Sequence, residues 1–329
     1  MLDFFSSALQ NLLSPMILFF ALGLLAGALR SDLAIPKGLV TSASLYLLMA
    51  VGFRGGAELA REGISDRFLA TAIAGLALGL VVLPRLAFAF LVRFGRLDPV
   101  NAAAIASHYG SISVVTFVTA TNFLIREGLS PEGFMTAVMA LMEAPGVIGG
   151  ILLARRYGRQ EPESGPSTLR AALRETLLGG SSVVLLGSMV VGAAVGTEGR
   201  RVMEPFILGL FPGVLSLFLL AMGLTAGRQV GEFLSVGRFL GTFAVLMPVV
   251  GGSLGAVVGS LIGLSVAGTT LFAVLVASAS YIAAPAAVRL ALPQATPGLP
   301  ITLSLGVTFP FNVILGIPLY YTLAGWLHR

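Results

Sequence analysis

The chain has 329 residues, of which 56% are hydrophobic and 11% are charged, and its net charge is +5. About a quarter of the residues in a soluble domain are charged, so this composition excludes an ordinary soluble domain and indicates a polytopic membrane protein. The absence of cysteine excludes disulfides, thiolate metal sites and cysteine nucleophiles. The positive charges lie between apolar runs, so we interpret them as a membrane-topology signal rather than a nucleic-acid surface.

Ten apolar segments follow one another along the chain, each near the ~20 residues that a helix needs to cross a bilayer. They are 13–30, 38–53, 68–92, 100–123, 133–154, 175–195, 206–224, 236–262, 268–291 and 300–327. The hydrophilic stretch Arg155–Arg170 cannot bury apolar surface and is predicted to be a mobile linker. The sequence therefore predicts an all-α membrane protein with halves at 1–154 and 175–329, joined by a cytoplasmic linker at 155–174.

The two halves resemble each other. "SLYLL" at 44–48 recurs as "SLFLL" at 216–220, 172 residues later, and Ser107 lies 171 residues before Ser278. Five spans per copy is an odd number, so the second copy enters the membrane with opposite polarity. Such an inverted repeat is typical of secondary transporters.

Arginine and lysine are distributed unequally between the two ends of the predicted spans. Twelve fall on the side of the linker and seven on the other side, with Arg85 inside a span and not counted. Because positive residues are enriched in cytoplasmic loops, the linker side is predicted to be cytoplasmic and both termini are predicted to be outside.

The fourth segment contains a polar cluster, "SHYGSIS", in which Gly110 permits a break in the helix. In the ninth segment, Pro285 fits the first turn of a new half-helix after a second polar cluster. The predicted substrate-binding residues are Ser107, His108, Tyr109, Gly110, Ser111 and Ser113 in the fourth segment, and Ser278, Ser280 and Tyr281 in the ninth.

Two half-helix N-termini facing each other near the midplane would favour a small anion, and hydroxyl and carbonyl oxygens beside them suit Na⁺. The alternative is that serine and threonine hydroxyls bond to their own helix or to a neighbour. The matched positions of the two clusters in the predicted repeat favour a binding site.

Three further polar residues are predicted cation ligands: Thr116, Glu143 and Asn312. Glu143 is the only acidic residue deep in an apolar run, and an intramembrane carboxylate is costly. It could also be a structural carboxylate, and Asn312 a packing amide. His108 could hydrogen-bond to a substrate, relay a proton or simply pack, but it has no histidine or cysteine neighbours for a metal site.

Several short motifs occur in the order and spacing of a known family. They are "LAIP" at 33–36, "LLMAVGFRGG" at 47–56, Gly110/Ser113/Thr116, "REG" at 126–128, Glu143 with Pro145, Pro285, Arg289, Pro293, Pro297 and "LGIPLY" at 315–320. Through these motifs the chain resembles the sodium-dependent bicarbonate transporters, best known from cyanobacteria.

The resemblance implies ten helices in two inverted five-helix repeats, arranged as a core and a gate domain, and homotrimers in the bacterial inner membrane. It implies that Na⁺ and bicarbonate bind between the broken fourth and ninth helices and that the core slides in an elevator-like movement. The residues carried over by this resemblance are Gly110, Ser113, Thr116, Ser278, Ser280 and Glu143. A PII-like cytoplasmic regulator binds some members, although nothing in this linker requires one.

The chain departs from the cyanobacterial pattern at Tyr281, where those members have an acidic residue, and at His108–Tyr109, which replace apolar residues. The first hypothesis is therefore Na⁺-coupled bicarbonate uptake, without any cofactor. A second is transport of another small anion or monocarboxylate, with protons relayed by Glu143 and His108. A third is a membrane scaffold or sensor. An enzyme is not expected, because no nucleophile–base pair or metal-ligand cluster is present.

Overall fold

The computed structural model describes residues 11–158, 178–229, 237–282, 284–296 and 298–329, together with the single residues 9, 174 and 231. Within these ranges the chain forms helices, turns and loops and contains no strand, which confirms the predicted all-α class. Most of the predicted linker, residues 159–173, lies outside the described residues.

The first half of the chain contributes seven helices. They are α1 (Pro15–Ala28), α2 (Lys37–Glu62), α3 (Asp66–Arg93), α4 (Pro99–Tyr109), α5 (Val114–Arg126), α6 (Met135–Leu141) and α7 (Pro145–Tyr157). A π-helical turn at Leu78–Val82 interrupts α3, and short breaks separate α4 from α5 and α6 from α7. The breaks fall within single predicted segments.

The second half contributes seven more described helices. They are α8 (Gly180–Gly196), α9 (Glu198–Gly209), α10 (Phe211–Arg228), α11 (Arg238–Ile262), α12 (Val266–Ala277), α13 (Ala284–Ala291) and α14 (Gly298–Leu327). The chain turns by 119° between α8 and α9, where Gly196 has a φ of +56° that L side chains rarely adopt. Helix α14 contains two π-helical turns, Ser304–Thr308 and Asn312–Gly316.

By length and composition, seven helical spans within the described ranges could cross a membrane, namely α2, α3, α4–α5, α6–α7, α10, α11 and α14, or eight if the bent pair α8–α9 forms one span. Helices α1 and α12 are shorter and apolar. Each of the ten predicted segments overlaps one of these helices, but the number ten and the inverted repeat stay predictions.

Helices α1, α2, α8 and α10 form what we call the helix-pair group, in which α1 packs on α10 and α2 packs on α8. Glycines allow these backbones to touch. A Cβ on Gly23 would lie 2.1 Å from the carbonyl oxygen of Leu220, and a Cβ on Gly56 would lie 1.8 Å from that of Met189. Such small residues let membrane helices approach closely without the help of a hydrophobic effect.

Helices α3–α7 and α11–α14 form what we call the broken-helix group, and helix α9 packs against the helix-pair group. The span made by α4 and α5 lies at its centre, where α4 packs against α3 and α7 while α5 packs against α12. All of the most apolar window of this span is buried inside the protein. A span with no exposure to lipid can carry polar side chains, provided that they find partners.

The spans made by α4–α5 and by α12–α13 both begin with a side-chain cap. Asp98 accepts hydrogen bonds from the backbone N–H groups of Val100 and Asn101 at the start of α4. Partial burial raises the pKa of Asp98, but these bonds and one from the Asn101 side chain lower it below the ordinary value overall. Ser265 caps α12 through the N–H of Gly268. Both arrangements satisfy donors that a helix start leaves free.

Candidate functional site

The first break separates α4 from α5. Ser113 begins α5 as its N-cap, and its Oγ accepts the N–H of Thr116 at 3.3 Å. Gly110 has a φ of −89°, so the break does not require the left-handed conformation that favours glycine. Glycine is required there by packing, because a Cβ on Gly110 would lie 2.8 Å from the Cα of Gly146 and from the carbonyl oxygen of Gly79.

The second break separates α12 from α13. Pro285 is the second residue of α13, in the first turn, as the sequence predicted. The Oγ of Ser280 accepts the N–H of Ala284 at 3.3 Å. The side-chain amide of Asn312 in α14 donates to the carbonyl oxygen of Ala277 at 3.0 Å, which satisfies the last turn of α12.

The two breaks are joined directly to each other. The N–H of Ser280 donates to the carbonyl oxygen of His108 at 2.9 Å, and the Nδ1 of His108 lies 2.6 Å from the carbonyl oxygen of Ser280. Because a carbonyl can only accept, the proton of a neutral His108 must be on Nδ1. The N–H of Ser113 also donates to Ser278 Oγ at 2.9 Å. The polar clusters of the fourth and ninth segments thus meet.

A cavity of about 10 Å³ lies where both breaks face the helix-pair group. It has room for about one water molecule. Its polar lining consists of Ser113, Glu143, Ser181, Ser280 and Tyr281. The first turn of α5 and the residues just before α13 both border it, so the starts of two helices face the same cavity.

Glu143 and Tyr281 supply the two ionisable side chains in the lining of this cavity. Glu143 is 5% exposed, and its Oε2 is 3.5 Å from Ser182 Oγ on α8, which makes a long hydrogen bond. Tyr281 lies beside Ser113, but its buried hydroxyl makes no hydrogen bond of standard geometry within the described residues. A carboxyl group and a phenol hydroxyl therefore line the same cavity.

Two of the predicted substrate residues are bonded within the protein instead. Ser107 Oγ donates to the carbonyl oxygen of Ala103 on its own helix at 3.0 Å. The hydroxyl of Tyr109 is 2.7 Å from Thr308 Oγ1, away from the cavity lining. For these two residues the structure matches the alternative of helix-bonded hydroxyls.

Three more of the predicted residues make hydrogen bonds within the protein. Ser111 Oγ donates to the backbone oxygen of Glu143 at 2.5 Å, and Thr116 Oγ1 donates to Ser113 Oγ at 2.9 Å. Asn312 accepts a hydrogen bond from the Tyr320 hydroxyl at 3.0 Å besides supporting α12. These three residues brace the breaks rather than line the cavity.

Sequence reasoning missed the contribution of the sixth segment. Ser181 and Ser182 are the second and third residues of α8, and they face the Glu143 region from the helix-pair group. Their only signal was the dipeptide itself at the edge of an apolar segment. It also missed Glu132, whose carboxylate accepts the N–H of Ser265 at 2.6 Å and its hydroxyl at 3.0 Å, at the start of α12.

Comparison with known families gives one match that covers almost the whole chain. The model described as the Na⁺-dependent bicarbonate transporter superfamily matches residues 15–325. A search of curated proteins found no match. The family match spans both predicted halves and every helix that borders the cavity.

Proposed function

Because the chain belongs to the Na⁺-dependent bicarbonate transporter superfamily, we propose that it couples the uptake of bicarbonate to that of Na⁺ across the bacterial inner membrane. The observation that carries this proposal is the buried meeting point of two broken spans, where Glu143 and two helix starts border one cavity. Family membership and the apolar helices indicate a multi-pass membrane transporter rather than an enzyme.

In this proposal bicarbonate binds at the starts of α5 and α13 once the site widens, because the cavity in this structure has room for about one water molecule. Ser113, Ser280 and the hydroxyl of Tyr281 would donate hydrogen bonds to its oxygens, and the helix dipoles would offset its charge. Na⁺ would bind beside it to the carboxylate of Glu143 and to hydroxyl oxygens. An anion and a cation bound together form a neutral pair, which lowers the cost of carrying either charge through a low-dielectric region.

The division into two groups of helices supports an elevator-like movement. The cavity is closed on one side by Leu48 and Ser181 of the helix-pair group and on the others by the broken-helix group. The Ser182–Glu143 hydrogen bond between the groups is long, so sliding would cost little there. The broken-helix group would carry both ions past the helix-pair group.

The orientation, assembly and regulation belong to the same proposal. In this proposal the linker is cytoplasmic and both termini are outside, which the excess of arginine and lysine on the linker side supports. The homotrimer and the PII-like regulator rest on the family resemblance alone.

The second candidate is proton-coupled transport of another small anion or monocarboxylate. The observation favouring it is Tyr281, which offers a hydroxyl where cyanobacterial members offer an acid, and which leaves Glu143 as the carboxylate of the cavity. In that case Glu143 would carry the proton. Uptake driven by a pH gradient without Na⁺ would favour this candidate.

The test is uptake of labelled bicarbonate into proteoliposomes, with and without an inward Na⁺ gradient at fixed pH. We expect Na⁺-dependent accumulation, reduced at least about tenfold in Ser113→Ala because a helix cap and a substrate donor are lost together. The matched control is Ser107→Ala, whose hydroxyl bonds only to its own helix. Equal uptake by the two variants would contradict the assignment of Ser113 to the binding site. Folded protein that takes up no bicarbonate would contradict the proposed transport function.

A further inference from the structure

A second and much larger cavity lies at the opposite end of the helices from the linker. This cavity, which we call the vestibule, has a volume of about 350 Å³ and lies between α2, α5, the start of α6 and the α9–α10 junction. Ligand pockets typically measure about 300–1,000 Å³, so the vestibule has room for an organic molecule of several more atoms than bicarbonate. Its lining is separate from that of the small cavity at the breaks.

One wall of the vestibule carries a surplus positive charge. The carboxylate of Glu58 is shared by two guanidinium groups, with Arg54 Nε at 3.1 Å and an Arg200 nitrogen at 3.5 Å. The side chains of Arg54 and Arg200 are both 33% exposed, whereas that of Glu58 is 12% exposed. Two guanidinium groups around one carboxylate leave one positive charge, which can attract an anionic ligand.

The other charged residues of the vestibule have partners of their own, although the lining as a whole holds three arginines and three glutamates and so carries no net formal charge. Arg61 pairs with Glu62 at 3.3 Å, and Glu62 also accepts the N–H of Gly133. The carboxylate of Glu132 lies at the start of α12, where it accepts two hydrogen bonds from Ser265. A helix start carries about half a positive charge, so it offsets part of the charge of this carboxylate. The positive surplus is therefore local to the wall where Arg54 and Arg200 share Glu58.

The floor of the vestibule is apolar. It is formed by Val51, Phe117, Val118, Phe211 and Leu271. The charged wall and the apolar floor together favour the binding of a molecule that has an anionic group at one end and an apolar body. We propose that the vestibule binds a small amphiphilic monocarboxylate, with its carboxylate on Arg54 and Arg200 and its body on this floor.

The vestibule lies between the two groups of helices, so a ligand bound there would affect their relative position. Arg54 and Val51 belong to the helix-pair group, whereas Phe117 and Leu271 belong to the broken-helix group. A bound molecule would contact both groups and would hold them in one relative position. If the broken-helix group slides as proposed above, the ligand would inhibit that movement and would not itself be transported.

The test is isothermal titration of the purified full-length protein with phenylacetate and with phenylacetamide, which has the same shape without the charge. We expect saturable binding of phenylacetate and at least about tenfold weaker binding of the amide. Arg200→Gln should weaken phenylacetate binding about tenfold, because Arg54 and Glu58 then form a one-to-one pair. Arg201→Gln is the matched control, since Arg201 does not line the vestibule and should leave binding unchanged.

Glu58→Gln sharpens the test because it should act in the opposite direction. Removing the shared carboxylate leaves both guanidinium groups unpaired, so phenylacetate should bind several-fold more tightly, which a folding defect cannot produce. Thr121→Trp would fill part of the vestibule and should abolish binding. Equal affinity for phenylacetate and its amide, or changes of the same sign in Glu58→Gln and Arg200→Gln, would overturn the proposal. Because binding is measured without transport, the result does not depend on whether bicarbonate is the substrate.

Discussion

The two broken spans meet at one site but are held in different ways. The break between α4 and α5 rests on packing, since Gly110 and Gly146 bring two backbones together. The break between α12 and α13 is braced by side chains, because His108 and Asn312 bond to the backbone on its two sides. The first should therefore be sensitive to added volume, and the second to the loss of a donor.

Added volume at the first break should have the largest effect. Gly146→Ala would place a Cβ 2.2 Å from the backbone nitrogen of Ser111, so the backbones must separate. We expect a cost of about 3 kcal/mol, at the upper end for overpacking, measured as a lower thermal unfolding temperature in detergent.

Gly187→Ala is the matched control for this substitution. No atom lies within 4 Å of a Cβ at Gly187 in α8, so alanine should be neutral or slightly stabilising there. If both variants unfolded at the same temperature, the first break would not depend on its glycines.

Loss of a donor at the second break should have the next largest effect. His108→Leu leaves the buried carbonyl oxygen of Ser280 without its Nδ1 partner, which should cost about 1–3 kcal/mol. His108→Asn can place an amide donor near the position of Nδ1 and should recover part of that loss. Thermal unfolding of the three proteins gives the comparison, and a Leu variant as stable as the Asn variant would contradict it.

Two tyrosines, one beside each break, give the smallest and most closely matched comparison. Tyr109 shares a hydrogen bond with Thr308, so Tyr109→Phe should cost about 1 kcal/mol. The hydroxyl of Tyr281 has no such bond among the described residues, so Tyr281→Phe should leave stability unchanged or raise it slightly. Unfolding temperatures that fall equally in both variants would show that Tyr281 is bonded within the protein.

The sequence predicted the helical class and the position of both breaks, because apolar length and clustered polar residues are local signals. It also predicted the contact between the two polar clusters, through their spacing. It could not separate Ser107 from Ser113, since both are serines in the same segment. Only the packing shows that Ser107 bonds to its own helix while Ser113 borders the cavity.

Other features were inaccessible because they depend on distant parts of the chain. Ser182 reaches Glu143 from the other half, and Glu132 supports a helix that begins more than a hundred residues later. The sequence also left open why a glycine stands at position 110, because close backbone contact and left-handed conformation both select glycine. Sequence alone does not distinguish these two requirements.

The glycine contacts within the helix-pair group affect how the protein responds to its membrane. Where Gly23 meets Leu220 and Gly56 meets Met189, no layer of side chains lies between the helices that could be compressed or rearranged. The pairs α1–α10 and α2–α8 should therefore each move as one rigid unit. In a thinner or thicker bilayer we expect the whole pair to tilt, while the distance between its helices stays constant.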